Sequence, residues 1–203
     1  MKKITAISVL SLIAIAALFA FKTITVLPIG SALPMSDVKV HDIQDRFISM
    51  KDVKRDNGLL VMFSCNTCPF VIKNQLRTRV ICNYALQNKV GVIVLNSNEA
   101  QRDGDDSFAA MQMYGKAQGY DWYYAMDQNN AIANAFGASR TPECYLFDKN
   151  LKLVYHGAID DNPTDPDNVK RQHLKMAINE VVAGKDVSVK ETRSVGCGIK
   201  RIN

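Results

Sequence analysis

Histidine and tryptophan are scarce in this sequence, and only one pair of cysteines is closely spaced. The chain has 203 residues, among them three histidines, one tryptophan and five cysteines. A structural zinc site needs four ligands, commonly supplied by two closely spaced pairs. Cys65 and Cys68 form the one Cys-x-x-Cys pair, and the three histidines are isolated. Residue 69 is proline, which excludes covalent haem attachment, and the sequence does not favour a zinc site.

A large excess of charge is also missing. The formal net charge is +5, but Lys2, Lys3 and Lys22 contribute three of the positive charges, and no acidic residue precedes Asp37. The rest of the chain carries 22 basic against 20 acidic residues. This balance gives no electrostatic reason to expect nucleic acid as a partner. A hydrophobic content of 47% is that of a globular protein with a core.

The N-terminus has a composition of its own. After Lys2 and Lys3 comes ITAISVLSLIAIAALFAF, an uncharged run over residues 4–21 that Lys22 closes. At about 1.5 Å per residue, a helix of this length nearly crosses a bilayer core of about 30 Å. Basic residues before an apolar run are typical of an export signal. We therefore predict a membrane anchor or cleaved signal at residues 1–22, with a buried core helix as the alternative.

The prediction for the exported part is a tether, one domain and a tail. Residues 23–36 contain two prolines and little periodicity, which indicates a tether. Residues 37–188 alternate apolar strand runs with helical patterns, which indicates an α/β domain with a largely parallel central sheet. Its last two strands are expected to be antiparallel. The predicted order is βαβ, an insertion, then αββα. Residues 189–203 form the predicted C-terminal tail.

Cys65 and Cys68 fall where a buried strand gives way to a helix. The apolar run GLLVMFS at 58–64 predicts the strand, and apolar residues recur at helical spacing after Pro69. Free N–H groups and the helix dipole favour an anion at such a junction, so we expect a lowered pKa and a nucleophilic role for Cys65. Cys68 would resolve the mixed disulfide. A metal-transfer site and an inert disulfide stay open as alternatives.

Several motifs together resemble a known family. They are FSCNTCP (63–69), NSNEA, RTPECYLFD (140–148), YHGAIDDNP and VGCGIK. This combination resembles the thioredoxin-like superfamily, and within it a redoxin (AhpC/TSA-type) branch of exported bacterial thioredoxin-like proteins. The resemblance covers roughly residues 30–200. It implies a thioredoxin-like fold: a central mixed sheet flanked by helices, with an insertion between the βαβ and ββα halves.

The resemblance also implies roles for particular residues. Cys65 would attack a substrate disulfide, and Cys68 would release the product. The Thr141–Pro142 bond is expected to be cis and to lie against the cysteines. The backbone of Thr141 would then be free to pair with an extended substrate segment. Thr141 and Pro142 are thus the predicted substrate-binding residues.

The sequence departs from the family pattern at several points. Thr67 stands where a histidine is usual between the cysteines, so we expect a less oxidising couple. No acid lies in the preceding strand or in the first helical turn, and Glu143 is the candidate proton acceptor. Arg140 stands where related chains often have a cysteine, and its charge is a candidate stabiliser of the Cys65 thiolate. Cys197, between two glycines in a polar tail, is a candidate third redox thiol or tail disulfide.

The expected function is that of a thiol–disulfide oxidoreductase without metal or organic cofactor. Its predicted partners are a disulfide-containing or dithiol protein, an upstream reductant and, through the N-terminal segment, the membrane. The predicted location is the periplasmic side of the cytoplasmic membrane, or the periplasm if the signal is cleaved. Two alternatives remain: a copper(I)-binding chaperone, since two thiolates are soft ligands, and a peroxiredoxin-like antioxidant.

Overall fold

A computed structural model describes residues 25–202, which form nine strands and five α-helices within that range. The strands are β1 (Lys39–Asp42), β2 (Arg46–Ser49), β3 (Gly58–Ser64), β4 (Val90–Asn96), β5 (Tyr123–Met126), β6 (Arg140–Thr141), β7 (Glu143–Phe147), β8 (Leu153–Gly157) and β9 (Cys197–Gly198). The helices are α1 (Met50–Val53), α2 (Pro69–Gln87), α3 (Phe108–Gln118), α4 (Ala131–Phe136) and α5 (His173–Val182).

Seven of these strands form one mixed sheet in the order β2-β1-β5-β4-β3-β7-β8. Strands β3 and β4 are parallel, whereas β7 is antiparallel to β3 and β8 is antiparallel to β7. Every residue of β3 and β4 is buried, because apolar clusters cover both faces of the sheet. Central strands of this kind need continuous apolar runs, as their sequences have. The predicted thioredoxin-like fold is confirmed.

The predicted insertion extends the sheet beyond β4. Strand β5 pairs in parallel with β4, and the hairpin of β1 and β2 continues the sheet from β5. Helix α4 ends at Gly137, whose φ of 67° is left-handed, as the sequence signal of a terminal glycine predicts. The rings of Trp122 and Tyr124 are buried among core residues. They belong to the main apolar cluster on one face of the sheet.

Helix α2 has the predicted length but buries a different face from the one its apolar residues define. Leu76 is 70% exposed, and Ile72 and Val80 are also exposed, whereas the polar Asn74 and Gln75 are buried. The amide of Asn74 donates to the carbonyls of Phe70 and Pro163, and that of Gln75 contacts the hydroxyl of Tyr120. These hydrogen bonds make burial of the amides possible.

The segment predicted to be a tether is partly folded onto the domain. The N–H of Leu27 donates to the carbonyl of Phe136, and that of Gly30 donates to Leu153. The side chain of Leu33 is buried in one of the apolar clusters. The prediction of a tether is therefore wrong over residues 27–33, because apolar side chains beside the two prolines supply a surface that packs on the sheet.

The predicted membrane segment lies outside the described residues. Within residues 25–202, no helix has the length and apolar character needed to cross a bilayer.

Candidate active site

The two cysteines lie at the junction between β3 and α2, as predicted. Strand β3 ends at Ser64, and Cys68 is the N-cap of α2. Pro69 occupies the first turn, where its missing N–H leaves no helical hydrogen bond unmade. The register of β3 between two central strands fixes where the chain leaves the sheet, and the helix then fixes the orientation of Cys68.

The sulfur of Cys65 is surrounded by hydrogen-bonding groups but hidden from solvent. Backbone N–H groups of Thr67 and Cys68 reach it, and the Thr141 hydroxyl lies 3.6 Å away. The residue is 1% exposed. Burial raises the pKa of Cys65, and the nearby Asp106 charge adds to the rise; the hydroxyl and the two N–H groups lower it only in part. The expectation of a lowered pKa is wrong for this state, because desolvation outweighs the helix N-terminus.

The disulfide in this structure joins Cys68 to Cys197, and Cys65 is a free thiol. The two Cα atoms of the bridge are 6.0 Å apart, which is within the usual range. A Cys65–Cys68 disulfide was the expected oxidised form, and the structure holds a different one. The sequence separation of 129 residues explains why spacing could not predict this pairing. The tail thiol suspected from sequence lies in the site.

Thr141, which lies in strand β6, contacts both Cys65 and Cys68. The Thr141–Pro142 bond is cis, as predicted. The Thr141 hydroxyl faces the sulfur of Cys65, and the Thr141 carbonyl oxygen lies 3.3 Å from the sulfur of Cys68. Its backbone is not free, however, because Thr141 pairs with Cys197 in the antiparallel ladder of β6 and β9. The chain's own tail takes the place expected for an extended substrate.

Glu143 organises the loop that leads to the cis bond. One carboxylate oxygen accepts hydrogen bonds at 2.8 Å from the N–H groups of Ser139 and Arg140. The other lies 2.7 Å from Nε2 of His156 and accepts from the hydroxyl of Tyr145. Burial raises the pKa of Glu143, but the hydrogen bonds and His156 outweigh burial and leave this pKa lowered. Glu143 therefore holds the loop as a carboxylate, and its role as proton acceptor stays a prediction.

A buried acid near Cys65 was missed at the sequence level. Asp106 is fully buried and accepts hydrogen bonds from the N–H of Asn66 and from the side-chain amides of Asn96 and Asn98, all within 2.8 Å. It thereby ties the loop after β3 to the loop after β4. In sequence Asp106 belongs to a polar run, NEAQRDGDDS, where nothing distinguishes it from its exposed neighbours.

Tyr124 completes this network from β5. Its hydroxyl donates to Oδ1 of Asn66 at 2.7 Å and accepts from the amide of Asn96 at 3.0 Å. The side chain of Asn66, between the two cysteines, is thus fixed from the insertion. The side-chain NH2 group of Asn66 also donates to the backbone carbonyl of Asp105.

The remaining candidates lie farther from the chemistry. Arg140 is exposed, and its contact in the loop is the hydrogen bond from its backbone N–H to Glu143. Cys82 and Cys144 are buried in the core, where desolvation raises the pKa of each thiol. Both are packing residues. Within residues 25–202, no group of three or more histidine, cysteine or acidic side chains is arranged to hold a metal ion.

A comparison with protein families identifies the chain. The model of the redoxin family matches residues 30–172, a span that contains the sequence motifs except VGCGIK in the tail. The chain belongs to the redoxin family. No curated protein matches this redoxin significantly.

Two solved structures are similar to this chain over most of its length. An uncharacterised conserved protein of Geobacillus kaustophilus is 31% identical, with a TM-score of 0.79, over 85% of this chain and 92% of the other. A hypothetical protein of Sinorhizobium meliloti 1021 is 30% identical, with a TM-score of 0.79, over 88% and 97% of the two chains.

A more distant match extends the likeness in fold. The C-terminal domain of a putative thiol-disulfide oxidoreductase of Bacteroides thetaiotaomicron is 16% identical, with a TM-score of 0.59, over 77% of this chain and 97% of the other. At this identity the likeness concerns the fold alone. Family membership and the thioredoxin-like fold together support a redox role for this redoxin.

Proposed function

We propose that this redoxin is a thiol–disulfide oxidoreductase that acts on disulfides of partner proteins in the bacterial cell envelope. The observation that carries the proposal is the set of groups on the Cys65 sulfur. Two helix N-terminal N–H groups and the Thr141 hydroxyl converge on it, beside a cis proline and a second cysteine. Groups in this arrangement stabilise a thiolate when the site is open to solvent. The envelope location rests on the N-terminal sequence pattern.

The proposed reaction transfers two electrons from the enzyme to the partner. The Cys65 thiolate attacks one sulfur of the partner disulfide, and the other partner sulfur leaves as a thiolate and takes up a proton. Cys68, deprotonated by water, then attacks the Cys65 sulfur. The Cys65–Cys68 bond forms, the mixed disulfide breaks, and the second partner sulfur leaves. An upstream dithiol returns the electrons, and the same steps in reverse would oxidise a partner.

A trapping experiment with the full-length protein tests this proposal. The Cys68→Ser/Cys197→Ser double variant lacks both thiols that could resolve a mixed disulfide, so it should retain insulin, used as a disulfide substrate, covalently on Cys65. The matched triple variant, which adds Cys65→Ser, should retain none. Equal labelling of the two variants would show that Cys65 is not the nucleophile and would overturn the proposal.

Four further measurements separate the alternatives and give the direction of electron flow. Wild-type protein should reduce insulin disulfides with dithiothreitol as the electron source, and Cys65→Ser should lose this activity. Consumption of hydrogen peroxide at a rate above that of insulin reduction would instead favour a peroxidase. Tight binding of copper(I) without any disulfide exchange would favour the chaperone alternative. The equilibrium potential against glutathione gives the direction of electron flow.

A further inference from the structure

The C-terminal tail, residues 191–202, is anchored on both sides of Cys197. Before it, the N–H of Thr192 donates to the carbonyl of His156, and the Thr192 hydroxyl accepts from the N–H of Ala158. After it, the N–H of Ile199 donates to the carbonyl of Ser139, and the Ile199 side chain is buried in an apolar cluster. Contacts on both flanks hold the tail in a fixed register, so the position of Cys197 is set by the fold.

The tail also lies unusually close to the cis-proline loop. A Cβ atom added at Gly196 would be 2.1 Å from the carbonyl oxygen of Thr141, a distance no side chain tolerates. A Cβ added at Gly198 would meet no described atom within 4 Å. Glycine is therefore required at 196 for close approach and not at 198. The next residue after Gly196 is the one that pairs with Thr141.

Cys68 lies between two possible sulfur partners. It shares a Cys-x-x-Cys loop with Cys65 and is bonded to Cys197 in this structure. The three residues belong to one buried cluster, to which Cys197 contributes as its partly exposed member. Of the three, Cys197 is therefore the one that solvent reaches best.

From this geometry we propose that Cys197 is a third catalytic thiol. After each reaction with a partner protein, Cys68 exchanges its disulfide bond to Cys65 for a disulfide bond to Cys197. This inference rests on the proposed function. In it the tail is the enzyme's internal dithiol–disulfide exchange partner, docked as a strand where an extended substrate would pair. The oxidised enzyme then stores its disulfide as Cys68–Cys197 and recovers Cys65 as a free thiol.

The step is a balanced exchange without net oxidation. The Cys197 thiolate, its proton given to water, attacks the Cys68 sulfur of the Cys65–Cys68 disulfide. The Cys68–Cys197 bond forms, the Cys65–Cys68 bond breaks, and Cys65 leaves as a thiolate that takes up a proton. The N–H groups of Thr67 and Cys68 are aimed at this leaving sulfur and stabilise its charge.

The proposal also defines how the enzyme would be reduced. A dithiol reductant must approach a sulfur from solvent, and Cys65 and Cys68 are 1% and 4% exposed. The reductant would attack the sulfur of Cys197, release the Cys68 thiolate and then close its own disulfide. Two electrons enter through the tail, and the reduction breaks the covalent bond between Cys197 and Cys68.

Disulfide mapping tests the inference without any protein substrate. The reduced full-length protein is oxidised with glutathione disulfide, quenched with acid at intervals, alkylated after unfolding and digested for mass spectrometry. We expect Cys65–Cys68 to appear first and then to decay as Cys68–Cys197 accumulates, with Cys65 alkylated at the end. A final state with Cys65–Cys68 intact and Cys197 alkylated would overturn the inference.

Two glycine variants test whether docking of the tail directs the exchange. Gly196→Ala keeps every sulfur but forces the tail away from Thr141, so at least tenfold less Cys68–Cys197 should form relative to Cys65–Cys68. Gly198→Ala, two residues further along the tail, should behave as wild type. Equal ratios in the two variants would contradict a docked exchange. Because trapping on Cys65 reports the proposed function separately, failure of either proposal can be recognised alone.

A redox equilibrium measures how much Cys197 contributes to the oxidised state. With an internal acceptor, oxidation of wild type by glutathione disulfide should have an equilibrium constant at least tenfold larger than that of Cys197→Ser. An unchanged equilibrium constant would show that Cys197 takes no part in the couple.

Discussion

The cysteine site has two sides, and a buried carboxylate holds the backbone on each. On the side of the Cys-x-x-Cys loop, Asp106 accepts hydrogen bonds only from uncharged groups, among them the N–H of Asn66. On the side of the cis-proline loop, Glu143 accepts from two backbone N–H groups and lies against His156. The charge of Asp106 raises the pKa of Cys65, whereas the Glu143 carboxylate is held by its own hydrogen-bond partners.

The comparison distinguishes two effects of a buried carboxylate near a thiol: it can hold the backbone in place, and it can raise the pKa of the thiol. Asp106 fixes the loop but raises the pKa of Cys65, because like charges disfavour the thiolate. Glu143 fixes the opposite loop and has its own pKa lowered. Asp106 is the charged group with the main electrostatic effect on the Cys65 pKa, and Glu143 is not among the main contributors. Substitutions on the two sides should therefore differ in their effect on thiol reactivity.

The largest effect is expected from Asp106→Ala. The variant leaves a buried N–H and two buried amides without their acceptor, which should reduce the free energy of unfolding by about 3–5 kcal/mol. The pKa of Cys65 should fall, because the like charge is gone. Denaturant unfolding measures the first quantity, and the pH profile of iodoacetamide reaction at Cys65 measures the second.

The neighbouring exposed acid provides the control for this prediction. Asp105→Ala removes the same charge from the same loop but no buried side chain, since Asp105 contributes its carbonyl to the network. Its effect should be below about 0.5 kcal/mol. If Asp105→Ala and Asp106→Ala destabilise the protein equally, the buried network is not what holds the loop.

A smaller effect with a distinct pH dependence is expected from Glu143→Gln. Loss of the charge-assisted hydrogen bonds should cost about 1–3 kcal/mol at neutral pH. Because the folded pKa of Glu143 is lowered, its contribution is complete above the ordinary glutamate pKa of about 4.3 and is lost as the pH falls through the lowered value. The stability difference between wild type and variant should therefore shrink in acid.

Glu191→Gln is the matched control, since residue 191 is exposed on the tail. Its stability at neutral pH should be within about 0.5 kcal/mol of wild type. The Cys65 reaction profile should be little changed in Glu143→Gln, in contrast to Asp106→Ala. A shift of the Cys65 profile as large as that of Asp106→Ala would remove the distinction between the two sides.

The smallest effect is expected from Tyr124→Phe. The variant keeps the buried ring but loses the hydroxyl that joins Asn66 to Asn96, at a cost of about 0.5–1.5 kcal/mol. Tyr123→Phe on the same strand, where the half-buried ring lies against the guanidinium of Arg46, should cost less than about 0.5 kcal/mol. Thermal unfolding measures both, and a reversed order would mean that the hydroxyl of Tyr124 does not support the loop.

The same two sides show what sequence can predict. The strand, the two cysteines and the helix at Pro69 are consecutive in sequence. The apolar run of the strand and the helical spacing of apolar residues after Pro69 therefore locate the Cys-x-x-Cys loop. The partners of that loop are not consecutive: Asp106 comes from the insertion and Cys197 from the tail. A carboxylate in a polar run and a cysteine between glycines have no local signal of burial. Family motifs located Thr141 and Pro142, which periodicity alone would not have done.

The prediction that the pKa of Cys65 is lowered was wrong for a related reason. The two N–H groups that favour its thiolate follow from local sequence, whereas its desolvation depends on groups that come from distant parts of the chain. Desolvation is the larger contribution.

The burial of Cys65 has a consequence for oxidative damage. A thiol at 1% exposure is out of reach of dissolved hydrogen peroxide, and a protonated thiol reacts slowly in any case. Sulfinic and sulfonic acids, which are hard or impossible to reverse, form from exposed thiolates. In the state that this structure shows, burial therefore protects Cys65 from oxidation that could not be reversed.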